Sequence, residues 1–232
     1  MDHLALLKQY IREKEDSDII SHGFPFVTIS RQSGAGGHML AKAILTENEK
    51  QAKIDEMFHG WQVFDREVCA LVAQDPELSD SFDAMLTERY QTETQQILHD
   101  MLNGRSRQYV MYKRIFEIVR ILATLGKTII IGRGGECVTR KMPQGIHIRL
   151  IASERTRIQA IMEDHHFERR EAEKVMHQQD KERARLIKDY FSADIDNPLL
   201  YDAVFNIDKL RTRDLAAVIV QMIKLKAKKT RP

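Results

Sequence analysis

Two hydrophobic spacings alternate along this chain. Short apolar runs, "FPFVTIS" (24–30), "WQVFD" (61–65), "KTIIIGRGG" (127–135), "GIHIRLIAS" (145–153) and "DAVFNI" (202–207), read as buried strands. Between them, apolar residues recur every three or four positions. Met39, Leu40, Ala43 and Ile44 predict a helix over 38–50. Most of 66–125 reads as helix, with Asp75-Pro76 as a start and Asn103-Gly104 as the clear interruption. Ser153 is placed to cap the helix that follows it. A charged helix spans about 168–191, and "TRDLAAVIVQMIKLKAKK" closes the chain as an amphipathic helix with a basic end. Strands alternating with helices predict an α/β fold, a parallel sheet covered on both faces. Leu4, Leu7 and Ile11 share a face, so 3–15 is expected to be a short amphipathic helix for packing or for a homodimer contact.

Composition changes this picture little. The 232 residues are 43% hydrophobic and 30% charged, enough for one domain of ordinary size with a helical insertion. A formal net charge of +2 gives no case for a nucleic-acid binder. No apolar run reaches the ~18 residues of a membrane span, and the N-terminus lacks a signal peptide's apolar core. A soluble, cytoplasmic protein without a membrane partner is expected. Cys69 and Cys137 make no disulfide framework and read as reduced thiols. The histidines show no zinc-type spacing. Tyr109, Tyr112, Lys113 and Arg114 fit an amphipathic helix better than a nucleic-acid patch.

In a parallel sheet, ligands bind beyond the C-terminal strand ends. Here those ends carry "SRQSGAGG", "FDRE" and "GRGGE". The first has the rhythm of a phosphate-binding loop. Ser33, Gly34, Ala35, Gly36, Gly37 and His38 let backbone amides approach an anion, and the next helix adds its positive end. The motif G-x-x-x-x-G-K-[ST] is nonetheless broken at three places. Aligned on Gly36, its first glycine is Arg31, its lysine is Gly37 and its hydroxyl residue is His38. The loop alone leaves two readings open, a phosphate cradle or a plain strand-to-helix turn.

The other motifs narrow the choice. "ISRQSGAGGHMLA", "FDREV", "GRGG", "DKERAR" and "YDAVFN", in this order over about 26–223, resemble the cytidylate kinase-like family, a divergent branch of the nucleoside monophosphate kinases. The resemblance implies a P-loop kinase fold with about five parallel strands. It implies a core domain over 24–223, with an acceptor-binding helical insertion at 66–105 and a lid at 164–192. The segment 1–23 and a basic tail at 224–232 would flank it. It also implies ATP as phosphoryl donor, magnesium as cofactor, and a nucleoside monophosphate, CMP or dCMP, as acceptor.

In that branch the missing lysine is normal, and the loop reads Arg-Gln-x-Gly-x-Gly-Gly. Phosphoryl transfer still needs cations about the moving group. Arg31 beside the loop, and Arg183 and Arg185 on the lid, are the candidates, because a guanidinium grips phosphate oxygens in pairs and stays charged. Asp180 shares a helix face with Arg183, which a plain ion pair would also explain. Asp65, Arg66 and Arg133 are expected to meet the acceptor. Glu136 could pair with Arg133 or replace the family's acid, which is Gly134 here; the metal ligands stay unassigned. Two alternatives remain: a kinase of another small acceptor, and a catalytically weak nucleotide-binding regulatory module.

Overall fold

The computed structural model describes residues 23–65 and 107–230. Arg66, Cys69, the insertion expected at 66–105 and the amphipathic segment 3–15 lie outside the described residues. The strands are β1 (Phe26–Arg31), β2 (Gln62–Phe64), β3 (Thr128–Ile131), β4 (Gly145–Ile151) and β5 (Ala203–Asn206). All pair in parallel, in the order β2-β3-β1-β4-β5. The helices are α1 (Gly37–Ala52), α2 (Arg107–Leu125), α3 (Gly135–Val138), α4 (Glu154–His165), α5 (Arg169–Phe191) and α6 (Thr212–Thr230). This is a five-stranded parallel sheet flanked by helices, the architecture that the resemblance implies. Each expected strand forms, and Ser153 caps α4 by accepting from the Thr156 amide. No described helix is long and apolar enough to cross a membrane.

The pleat divides the sheet into two unlike faces. On one, Val27, Ile29, Ile131, Ile146, Ile148 and Leu150 pack against Leu40 and Ile44 of α1 and Leu215, Ile219 and Ile223 of α6. Each fully buried aliphatic side chain here contributes about 1.5–3 kcal/mol. On the other, Phe26, Phe64 and Ile130 meet Ile115, Ile118 and Leu122 of α2. Toward β4, however, this second face turns polar, with Thr28 and Ser30 of β1 beside His147 and Arg149 of β4, all buried. The Thr28 hydroxyl lies 2.8 Å from His147 Nδ1. Burial pushes His147 below its ordinary range, so the ring is neutral at neutral pH.

Asp202 fastens the edge strand. Its carboxylate accepts from the His147 amide at 2.7 Å, and its own amide donates to the His147 carbonyl at 2.6 Å. Aromatic contacts tie α5 to α2, with Phe116 5.4 Å from Tyr190 and 5.0 Å from Phe191, ring centre to ring centre. The long charged helix is thereby fixed beside the C-terminal ends of the strands.

Candidate functional site

β1 ends at Arg31 and the chain turns at once into the glycine loop. Gly34 and Gly36 both adopt the left-handed conformation, at φ 77° and 72°. For Gly34 the reason is also steric: a Cβ there would drive into the backbone of Arg157 on α4. Gly36 opens α1. Among the described residues, the amides of Gly36, Gly37 and His38 donate to no protein acceptor, as the first turn of a helix requires. Unbonded amides at a helix N-terminus are the kind of group that can hold an anion.

Arg31 packs against the position at which the motif would carry its lysine. A Cβ built on Gly37 would lie 3.3 Å from both Cγ and Cδ of Arg31. The arginine's stem therefore takes the volume that a side chain at position 37 would fill. Its guanidinium lies over Gly132 at the end of β3, where a Cβ would collide with it. Gly132 carries φ 73°. Burial, and then the neighbouring Arg183, push Arg31 down to about 9, with Glu136 and Asp65 acting in the opposite sense. It still carries its charge at neutral pH.

Asp180 on α5 organises the loop from the other side. Its Oδ1 accepts from the Ser33 amide at 2.6 Å, and its Oδ2 accepts from Arg157 Nη1 at 2.5 Å. The preceding Gln179 accepts from the Ser33 hydroxyl at 2.7 Å. Arg183 reaches back to the same group, donating to Gln179 Oε1 at 3.2 Å and to the Arg31 carbonyl at 3.4 Å. Burial pushes the Arg183 guanidinium below its ordinary value, partly offset by Asp180. The Ser33 amide is thus taken by a carboxylate of the protein and the Ala35 amide by the Gln32 carbonyl at 3.1 Å.

A cavity of about 260 Å³ opens beside this arrangement. Arg31, Arg149, Lys181 and Arg183 line it together with Asp180 and Asp196, four cations against two acids. Beneath it, Ser30 joins a buried polar group. Its hydroxyl accepts from Arg149 Nη1 at 3.0 Å and from the Tyr201 hydroxyl at 3.2 Å. Glu136 of α3 is fully buried behind Ser30 and faces Arg149 and Arg31. Burial pushes its carboxyl upward, and Oε2 has no hydrogen-bond partner. Cys137 next to it carries a free thiol that burial pushes up to about 12, so it is no nucleophile.

The structure brings most of the expected residues together. Asp65 at the end of β2 meets His38 of α1, Oδ2 to Nε2 at 3.2 Å. Arg133 follows Gly132 in a run of three left-handed residues, with φ 73°, 58° and 64° at positions 132–134. Arg185 does not join them. It pairs with Asp189 on its own helix at 3.1 Å, and its side chain is 79% exposed against 24% for Arg183. Arg149, Arg157, Gln179 and Asp196 belong to the site without having been singled out in the sequence. One signal was available: Arg149 is a charge within an otherwise apolar strand run.

An arginine in the left-handed region costs about 1 kcal/mol, a cost glycine does not incur. Arg133→Gly is therefore expected to leave the melting temperature unchanged or raise it, by up to about 1 kcal/mol of stability, as a thermal melt reads it. A clear fall in melting temperature would show that the Arg133 side chain stabilises the fold by more than this backbone cost.

Among the described residues, the two positions where this kind of loop would offer a magnesium ligand carry none. The hydroxyl position of the loop is His38. The acid position is Gly134, where a Cβ would come within 2.8 Å of the Phe191 ring. Among the described residues no cluster of three or more metal-ligating side chains occurs.

Comparison with known proteins agrees with this geometry. No curated protein matched the chain. Among solved structures, an uncharacterized protein from Eubacterium ventriosum superimposes with a TM-score of 0.65 at 19% identity, over 86% of this chain and 98% of its own. A shikimate kinase from Bacteroides thetaiotaomicron matches with a TM-score of 0.44 at 14% identity, covering 86% and 96% of the two chains. TT1252 from Thermus thermophilus matches at 0.44 and 11%, covering 86% and 98%. At these identities the first shows a shared fold and the other two add nothing to it. The sequence itself is more specific: over residues 26–209, from the first strand through the glycine loop and α5 to the end of the sheet, this chain belongs to the cytidylate kinase-like family.

Proposed function

We propose that this protein transfers the terminal phosphoryl group of ATP to a nucleoside monophosphate, CMP or dCMP. Membership of a kinase-like family supports a phosphotransferase. The observation that carries the reading furthest is Arg31, whose stem occupies the lysine's volume above Gly37 while its guanidinium stays at the loop. In this reading the amides of Gly36, Gly37 and His38 hold the donor phosphates. Arg31 and Arg183 neutralise charge on the transferring group, so catalysis is positioning and electrostatics. Asp65, Arg66 and Arg133 orient the acceptor, with 66–105 as the acceptor-binding insertion and α5 as the lid. Magnesium enters with the ATP phosphates and keeps water as its remaining ligands, as that ion commonly does.

The test is ADP formation from ATP against a panel of nucleoside monophosphates. CMP-dependent turnover is the expected result. Turnover with another small acceptor would keep the phosphotransferase and replace the substrate. Nucleotide binding with no turnover on any acceptor would favour a regulatory module, a reading to which the carboxylate already seated on the Ser33 amide lends some support.

A further inference from the structure

Arg149 stands apart from the other cations of the site. It comes from the middle of β4, not from the loop or the lid, and its side chain is only 6% exposed. Nη1 is fixed to the Ser30 hydroxyl and the guanidinium lies over the Tyr201 ring, 5.7 Å from its centre. Nη2 turns toward the cavity and donates to Asp196 Oδ1 at 2.5 Å. Its ion-pair partner is lopsided by comparison: the Asp196 side chain is 70% exposed, on the irregular stretch between α5 and the short turn at Pro198–Leu200.

Asp180 and Asp196, the two acids of the cavity, are held very differently. Asp180 is tied to the Ser33 amide and to Arg157. Among the described residues the Asp196 carboxylate is tied to Arg149 alone, and its amide donates to Asp194 Oδ1. A carboxylate already mostly in water loses little on release. A buried guanidinium, in contrast, must keep an anionic partner, and phosphate oxygens suit its paired donors.

We infer that Arg149 is a phosphate-binding residue, and that Asp196 is a stand-in anion which a polyphosphate displaces from it. The cavity then gains an anion held by Arg149 from the strand, Arg183 from the lid and Arg31 from the loop. Glu136 remains beneath, buried and facing Arg149 and Arg31. The inference takes the polyphosphate class of ligand from the proposed function, but its test needs no turnover.

Calorimetric binding of inorganic tripolyphosphate to the full chain at fixed ionic strength decides the matter. If Asp196 competes for Arg149, Asp196→Asn binds about 3–10-fold tighter than the unaltered protein. In an Arg149→Met background the same substitution leaves affinity unchanged. Thermal melting of each variant checks that it is folded, and Arg149→Gln replaces Arg149→Met should the latter not fold. Unchanged or weaker binding by folded Asp196→Asn would overturn the inference, because a pair that serves only the fold gives no gain on removal of its acid. An equal gain in the Arg149→Met background would also overturn it, showing a general change in surface charge. Failure of the nucleotide panel with a positive Asp196 result would sink the kinase assignment and leave this site standing.

Discussion

Arg31→Met lowers ATP turnover about 100- to 1,000-fold, the loss typical of removing one preorganised charge donor, worth about 3–4 kcal/mol. Methionine keeps much of the stem that packs over Gly37, so the fold is retained and the loss falls on the charge. A second experiment uses the shared volume. Gly37→Lys alone is expected to impair the protein, because its Cβ starts 3.3 Å from the Arg31 stem and the rest of the side chain must displace it. Arg31→Gly combined with Gly37→Lys recovers part of the activity, since the motif's own glycine and lysine then stand where they usually do. Steady-state kinetics on the three variants check this, with melting curves alongside. Full activity in Arg31→Met, or no recovery in the double variant relative to Gly37→Lys, would count against arginine as the lysine's replacement.

Asp180→Ala carries the second large effect, and it is on stability as well as rate. The substitution strips the Ser33 amide of its acceptor and leaves the Arg157 guanidinium, 8% exposed, without its carboxylate. Among the described residues, Arg157 Nε already lacks a hydrogen-bond partner. Losing hydrogen bonds to a charged group of this kind costs about 2–3 kcal/mol, or roughly 5–10 °C in melting temperature for a chain of this length. Tripolyphosphate affinity is expected to fall about 10-fold, since the loop loses its attachment to α5. Asp180→Asn keeps an acceptor for the amide and should lie between the two. An Asp180→Ala protein that melts and binds like the unaltered one would show that the loop holds its shape unaided.

The strands and the loop were legible because their causes are local. Apolar runs such as Thr128–Ile131 have no polar face to show, and glycines at 34, 36 and 37 announce a backbone that must bend or approach something closely. The exclusion of Arg185 was legible too, in principle. Residues two apart on a helix point to opposite sides, so Arg183 and Arg185 could never both face the loop. Gln179 and Asp180 meet at Ser33, and Arg183, one turn on, donates to both of them. The fully tertiary parts were not legible. Arg149 needs β1 at its side to present Ser30, and it needs residue 196, 47 positions away, to supply the acid. Arg157 reads as ordinary helix surface until α5 is laid beside α4. Gly134, seen in sequence only as a lost acid, is required because Phe191 packs against its Cα.

The two unlike sides of the central sheet give neighbouring residues separate duties. Along β1, Val27 and Ile29 belong to the apolar core, whereas Thr28 and Ser30 support the polar assembly under the cavity. Along β4, Ile148 and Leu150 alternate with His147 and Arg149 in the same way. Selection can therefore remodel the ligand side one residue at a time without eroding the foundation beneath it. A common scaffold could diversify its chemistry by changing every other position of two strands.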